Sequence, residues 1–550
     1  MKKYSIIILL TLIISFNAKT QISWYNYVNT NWTEFLSSSV NQNEFTGNYS
    51  ICNNKSGFSF YDINDFLPQI NGWSFDNYIS LPSWNAYVMA LGDKYCYIEA
   101  FDNKVKNPVA WTHWKELRII NNLANGSCFG FAVSSQMAFD NVDGFRSDYP
   151  ALIFSGSIYE MNISDDVKNC ISSIWLRQFT KNGANLWKLW RSNKTPVETL
   201  QEIKNNLHST DRFVLYLFRS WNDVHVINPY KITCNSNNEN FEFIYVYDNN
   251  YQGDTIFIIT IDKKLNKWYY SDNEVDSYDT LGYSSGIILD VKPVSNYCNR
   301  NYYSSDYDLI ADYQTIYVNP YSTVSITDED NKLFGYNIEN DQLLDISDYT
   351  IPMLFAADTV CPPVGYFMPT KTFSVQLSDF KTPISNFTII SQYNIFTYKR
   401  DIEVINNFET DNLIFQDSIF SVTNNDLNIK KFLLETFLEN DNFRFFKLSQ
   451  ISISHEDTIS IQKINNDNLL LTNKGKSNTY NLDIELPNLY FRYSNITIPQ
   501  NSSHEIDADW NNLSAEVVKI YVDWNLDGSI NDTLFLDNQE NYWYNLLCSI

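Results

Sequence analysis

From Phe213 to the C-terminus the chain is dominated by short runs of β-branched and aromatic residues, and this pattern limits the fold more than any other feature. The first runs follow in close order at 213–218, 224–232, 241–247, 255–261 and 268–270. Beyond about residue 296 helical periodicity nearly vanishes. Alternating segments such as 314–318 and 372–377 are separated by Asp, Asn and Pro turns, which predicts β-sandwich modules. One segment, 429–438, fits either a short helix or a buried strand. Helical signals lie earlier in the chain. Residues 129–139 carry an apolar pattern suited to a buried helix, and Thr195, Pro196 and Glu198 form a capping box ahead of Val197, Leu200, Ile203 and Leu207 on one face. These patterns predict an α+β class, with a domain of helices and an antiparallel sheet followed by all-β, sandwich-like domains.

A chain of 550 residues is too long for one ordinary domain. Residues 1–20 have the layout of a signal peptide: Lys2 and Lys3, an apolar run from Tyr4 to about Phe16, then Asn17 and Ala18. The aromatic-rich stretch 21–105 is a propeptide or an integral N-terminal segment. The segment 106–295 is expected to be one domain, 296–400 a β-sandwich, and 401–550 a further β-rich region. No cysteine closely follows the apolar run as a lipid anchor requires, and no later run approaches the roughly 18 apolar residues of a membrane span, so export followed by release is expected.

The formal charge of −25 and a pI near 4.5 argue against nucleic acid or anionic membrane as a partner, since both need a basic face. The eight cysteines are scattered without a CxxC pair, which argues against zinc or a thioredoxin-type centre.

Within the stretch Asn125-Gly126-Ser127-Cys128-Phe129-Gly130-Phe131-Ala132, Gly-Ser-Cys leads directly into the apolar helical pattern. A thiol at a helix N-terminus is a candidate nucleophile, because the partial positive charge of that end favours thiolate. Taken alone, such a cysteine reads as an ordinary core residue before it reads as a catalytic one. If Cys128 is a free nucleophile, seven cysteines remain, and an odd number leaves at least one further thiol unpaired. Partners for the thiol lie in two later segments, Asp223-Val224-His225-Val226-Ile227-Asn228-Pro229-Tyr230 and Val246-Tyr247-Asp248-Asn249-Asn250. His225 begins one predicted strand and Asp248 ends the next. Antiparallel pairing of those strands would bring both side chains to one sheet edge.

Gly126-Ser127-Cys128 followed by an aromatic residue and a helix, with the later His225 and Asp248 segments, resembles the papain-like cysteine peptidases in an uncharacterised secreted bacterial branch. The resemblance covers about 106–295. It implies a papain-like domain in which Cys128 attacks an acyl carbon, His225 withdraws the thiol proton and Asp248 orients the imidazole, with Asn249 and Asn250 competing for that last role. It also implies an amide six positions before the nucleophile that helps bind the oxyanion, and Asn122 stands there. No cofactor is expected for catalysis, and the substrate is expected to be protein or peptide. Two alternatives use the same chain: a transglutaminase-like acyltransferase, which shares the Cys, His, Asp order, and a non-catalytic surface or adhesion protein on a degenerate papain-like domain.

His113, flanked by Trp111 and Trp114, reads as packing or a cleft wall before it reads as a base, and His208 suits the end of the capped helix. Near the C-terminus Asp523-Trp524-Asn525-Leu526-Asp527-Gly528 has the D-x-N-x-D-G spacing of a calcium loop, completed by Asp532 or a remote carboxylate because Leu534 occupies the twelfth position. The expected ion is structural calcium, and the competing reading is an Asx-rich hairpin turn without metal. The C-terminal β-regions are expected to bind substrate, a surface or glycan.

Overall fold

The computed structural model describes residues 66–539 apart from short stretches and three longer ones at 180–193, 272–287 and 295–312. The signal peptide, residues 21–65 and His208 therefore lie outside the described residues. The helices come first: α1 (Pro68–Asn71), α2 (Trp84–Leu91), α3 (Asp93–Cys96), α4 (Pro108–Ala124), α5 (Cys128–Asp140), α6 (Phe145–Asp148), α7 (Asp165–Arg177) and α8 (Pro196–Asn205). A hairpin of β1 (Tyr97–Ala100) and β2 (Asn103–Lys106) stands between α3 and α4. The capping box at α8 forms as its sequence dictates: the Thr195 hydroxyl accepts from the Glu198 N–H, and the Glu198 carboxylate accepts from the Thr195 N–H.

Strands follow almost without interruption. A six-stranded antiparallel sheet is built from β3 (Phe213–Ser220), β4 (Asp223–Cys234), β5 (Phe241–Tyr247), β6 (Ile258–Asp262), β7 (Lys267–Ser271) and β8 (Ile288–Pro293), in the order β7-β6-β5-β4-β3-β8. Its two faces follow the alternation of β3. Val214, Tyr216 and Phe218 join the core around α5, whereas Leu215 and Leu217 pack with Leu200 and Ile203 of α8. The remaining strands, between Tyr313 and Asp537, form a nine-stranded and an eleven-stranded antiparallel sheet that share one core. In the strand Phe373–Ser378, Phe373, Val375 and Leu377 are buried while Ser374 and Gln376 are exposed, the alternation of a sheet with one wet face. Segment 429–438 resolves as the strand Lys430–Leu438, its burial alternating along Phe432, Leu434 and Thr436.

The expected α+β class, with a papain-like domain ahead of sandwich-like domains, is overturned. Strands occupy 50 % of the described residues and helices 21 %, and the strands form four antiparallel sheets. Among the described residues no clear papain-like helix-plus-sheet domain closes off on its own. The physical reason lies in the core: the cluster that contains Cys128, Phe131 and Trp175 continues through Tyr317, Ile390, Ile395 and Phe437 of the nine-stranded sheet. The helical layer thus completes its apolar burial on that sheet, and it is a cap on a mostly β molecule. Polar ties reinforce the junction, since buried Glu116 of α4 accepts from the Thr388 hydroxyl at 3.0 Å and from Asn386 Nδ2 at 3.4 Å. Residues 66–100 are built into the same core through Trp73, Tyr87 and Cys96, and the Trp73 indole donates to Ser134 Oγ of α5 at 3.1 Å. The nine-stranded sheet also runs on from Ile395–Asp401 to Lys430–Leu438, so one sandwich core spans both sides of residue 400. Among the described residues no helix is long and apolar enough to cross a membrane.

Candidate active site

Cys128 is the first residue of α5, so its backbone N–H is one of the helix-end donors without an intrahelical acceptor. The helix is buried from Cys128 to Ala138, lying against α7 on one side and β4 on another. Gly130 sets the first of these contacts. A Cβ there would lie 2.5 Å from the Ile171 carbonyl oxygen and 3.1 Å from Trp175 Cβ, so only glycine lets α5 and α7 approach this closely.

The imidazole arrives through strand register. β4 and β5 pair antiparallel with Asn228 opposite Tyr247, which sets the start of β4 beside the end of β5. The register slips by one residue between Pro229 and Lys231, leaving Tyr230 as the extra residue. Proline has no N–H to give to a ladder, and bulges are where a sheet accommodates it. As a result His225 Nε2 lies 3.0 Å from Asp248 Oδ1. His225 is also hydrogen-bonded to the Cys128 side chain. With Nε2 committed to the carboxylate, Nδ1 is the ring nitrogen left for sulfur.

Each member is held from behind. Asp248 Oδ1 also accepts from the Asn250 N–H at 2.9 Å, and Oδ2 accepts from the Tyr270 hydroxyl. All three residues are buried: Cys128 and Asp248 are 0 % exposed and His225 2 %. Burial by itself pushes the imidazole toward its neutral form. The Asp248 carboxylate, with hydrogen bonds to Asp248 and Cys128, outweighs that and holds His225 well above its ordinary value. Burial likewise opposes ionisation of Asp248, but His225, the Tyr270 hydroxyl and the Asn250 N–H hold its carboxyl below the usual range.

The structure thus brings together Cys128, His225 and Asp248, and it separates the roles left open for the neighbouring amides. Asn249 does not face the imidazole. Its Nδ2 donates to the Cys128 carbonyl at 3.1 Å and to the Val226 carbonyl at 3.0 Å, tying the helix of Cys128 to the strand of His225. Asn250 accepts from Asn77 Nδ2 at 3.2 Å. Asn122 is exposed on α4, and its neighbour Asn121 is the buried amide, donating from Nδ2 to Ser127 Oγ at 3.3 Å. The spacing Trp114, Leu117, Asn121 marks that inward face in the sequence.

Two contributors carry no local signal. Asn77 Oδ1 accepts from the Ser127 N–H at 2.6 Å, and the Asn77 N–H donates to the Asn249 carbonyl at 3.1 Å, so this one residue links both loops of the site. Tyr270 reaches Asp248 only through the order β5-β6-β7. His113 lies elsewhere, in the packing of α4: its Nδ1 pairs with the Tyr87 hydroxyl at 2.8 Å, its ring faces Tyr317, and burial pushes its pKa down to about 3. Cys96 and Cys170 are free and buried, and burial raises both thiols; Cys234 is disulfide-bonded.

The loop at 523–532 is a hairpin turn between the strands Val517–Asp523 and Asp532–Asp537. Asp523 accepts from the N–H groups of Asn525 and Gly528, Asp527 from the Ser529 N–H and Asn525 Nδ2, and Asp532 from the Thr533 N–H. Gly528 has φ +85°, the left-handed conformation that the turn demands. The carboxylates are turned onto the loop's own donors. Among the described residues no group of three or more His, Cys, Asp or Glu side chains is placed to share a cation.

Comparison of the chain with protein-family models, curated proteins and solved structures finds no match. Function therefore rests on the chemistry of these side chains. A thiol, an imidazole and a carboxylate in hydrogen-bonded series can generate a thiolate, hold the proton and return it to a leaving group.

Proposed function

We propose that the protein is a thiol hydrolase acting on peptide or protein, with Cys128 as nucleophile, His225 as base then acid, and Asp248 as the orienting carboxylate. The observation that carries this reading is the shared imidazole, with Nε2 on Asp248 at 3.0 Å and the ring hydrogen-bonded to Cys128. His225 takes the thiol proton, and the sulfur attacks the acyl carbon to form a C–S bond. The imidazolium then protonates the departing amine as the C–N bond breaks, leaving an acyl-enzyme. Water, deprotonated by His225, releases the acid and restores the thiol. The Cys128 N–H at the α5 N-terminus, which has no acceptor within the helix, supplies one donor for the oxyanion.

Cys96 and Cys170 serve as internal controls, because both are free and buried but only Cys128 is bonded to an imidazole. The test is labelling of the folded protein with a peptidyl chloromethyl ketone. Wild type is expected to be labelled at Cys128 alone, and His225→Ala at least a hundredfold more slowly. Equal labelling of wild type and His225→Ala refutes the reading.

A further inference from the structure

We propose that Tyr270 is a positioning residue of this site, fixing the direction and the charge of Asp248 through its hydroxyl. The proposal rests on the thiol-hydrolase reading of Cys128 and His225. Asp248 meets its donors asymmetrically: Oδ1 serves the His225 ring and the Asn250 N–H, whereas Oδ2 is held by Tyr270. A carboxylate anchored at only one oxygen can turn about its Cβ–Cγ bond, and doing so would carry Oδ1 off the imidazole. The Tyr270 hydroxyl on Oδ2 opposes that turn.

The phenol is itself held in place. β7 pairs with β6 so that Tyr270 stands opposite Ile259, and its ring stacks on Phe257 at 5.8 Å, which in turn stacks on Tyr251 at 4.2 Å. Burial raises the Tyr270 hydroxyl well above its ordinary value, and the Asp248 charge raises it further, so it stays a donor throughout the working range. Removing it leaves Oδ2 buried with one donor fewer, which favours the protonated acid over the carboxylate. Because a protonated Asp248 no longer supports the imidazolium, the loss should appear as a displaced acid limb, and a role in packing alone would not move that limb.

The experiment is the pH dependence of Cys128 alkylation by iodoacetamide in wild type, Tyr270→Phe, Asp248→Asn, His225→Ala and the double variant Asp248→Asn/Tyr270→Phe. Tyr270→Phe is expected to move the acid limb up by about one pH unit. The double variant is expected to match Asp248→Asn alone, since Tyr270 acts through that carboxylate. Placing 3,5-difluorotyrosine at 270 keeps the ring and strengthens the donor, and is expected to move the limb down. If Tyr270→Phe and the fluorinated protein both follow the wild-type profile while His225→Ala departs from it, the role of Tyr270 is overturned and the thiol reading stands. If His225→Ala also follows wild type, the thiol reading itself fails.

Discussion

Asn249 Nδ2 lies 3.1 Å from the carbonyl oxygen of Cys128 and 3.0 Å from that of Val226, so one buried amide joins the helix that carries the thiol to the strand that carries the imidazole. The distance between Cys128 and His225 is thereby set by a residue that reacts with neither. Asn249→Ala removes a donor from two buried carbonyls and is expected to cost about 1–3 kcal/mol in urea unfolding. Asn249→Asp is expected to be worse, because it sets a carboxylate oxygen against two carbonyl oxygens beside Asp248. Equal stability of the two variants would contradict this role.

Gly130 fixes the same helix from its other side. Adding a methyl group at a point 2.5 Å from the Ile171 carbonyl oxygen forces α5 away from α7, so Gly130→Ala is expected to destabilise by roughly 1–3 kcal/mol. Thermal unfolding should show a lower Tm, together with slower labelling of Cys128 because the thiol moves with its helix.

The His225–Asp248 pair makes stability depend on pH in a defined window. His225 is raised in the folded state from an ordinary 6.5, so its contribution is complete below 6.5 and fades as pH rises through the folded value. Asp248 is lowered from an ordinary 3.8, so its contribution is complete above 3.8 and fades as pH falls through the folded value. Both hold fully between those pH values. Asp248→Asn is therefore expected to lose about 3 kcal/mol relative to wild type in that window, and less on the alkaline side. A difference in unfolding free energy that does not vary with pH would refute the pairing.

His113 acts in the opposite sense. Burial lowers it from 6.5 to about 3, so the unfolded chain binds its proton first and stability falls as pH drops from 6.5 toward 3. His113→Gln, which cannot titrate, is expected to flatten that slope by about 1.4 kcal/mol per pH unit. An unchanged slope would show that the ring is not held neutral.

How much of this was legible in the sequence follows from the range of each signal. The α8 capping box, the start of α5 at Cys128 and the edge pairing of His225 with Asp248 depend on neighbours along the chain or across one strand pair, and periodicity exposes them. The fold class was misjudged because the helical pattern before residue 206 resembles an independent half-domain. Nothing local reveals that its apolar surface is completed by Tyr317, Ile390 and Phe437, far along the chain. Asn77 and Tyr270 were invisible for the same reason, since each reaches the site only through tertiary contacts. Asn122, named by its spacing from Cys128, lies on the exposed face of its helix, whereas Asn121 shares the buried face of Trp114 and Leu117.

The central claim, that Cys128 is an acyl acceptor activated by His225, is tested most directly by intact-mass analysis after rapid mixing with an activated peptide ester. The account predicts a transient adduct of the acyl mass on Cys128, absent from Cys128→Ala and strongly reduced in His225→Ala. An adduct on Cys96 or Cys170, or one that forms equally without the imidazole, would contradict it.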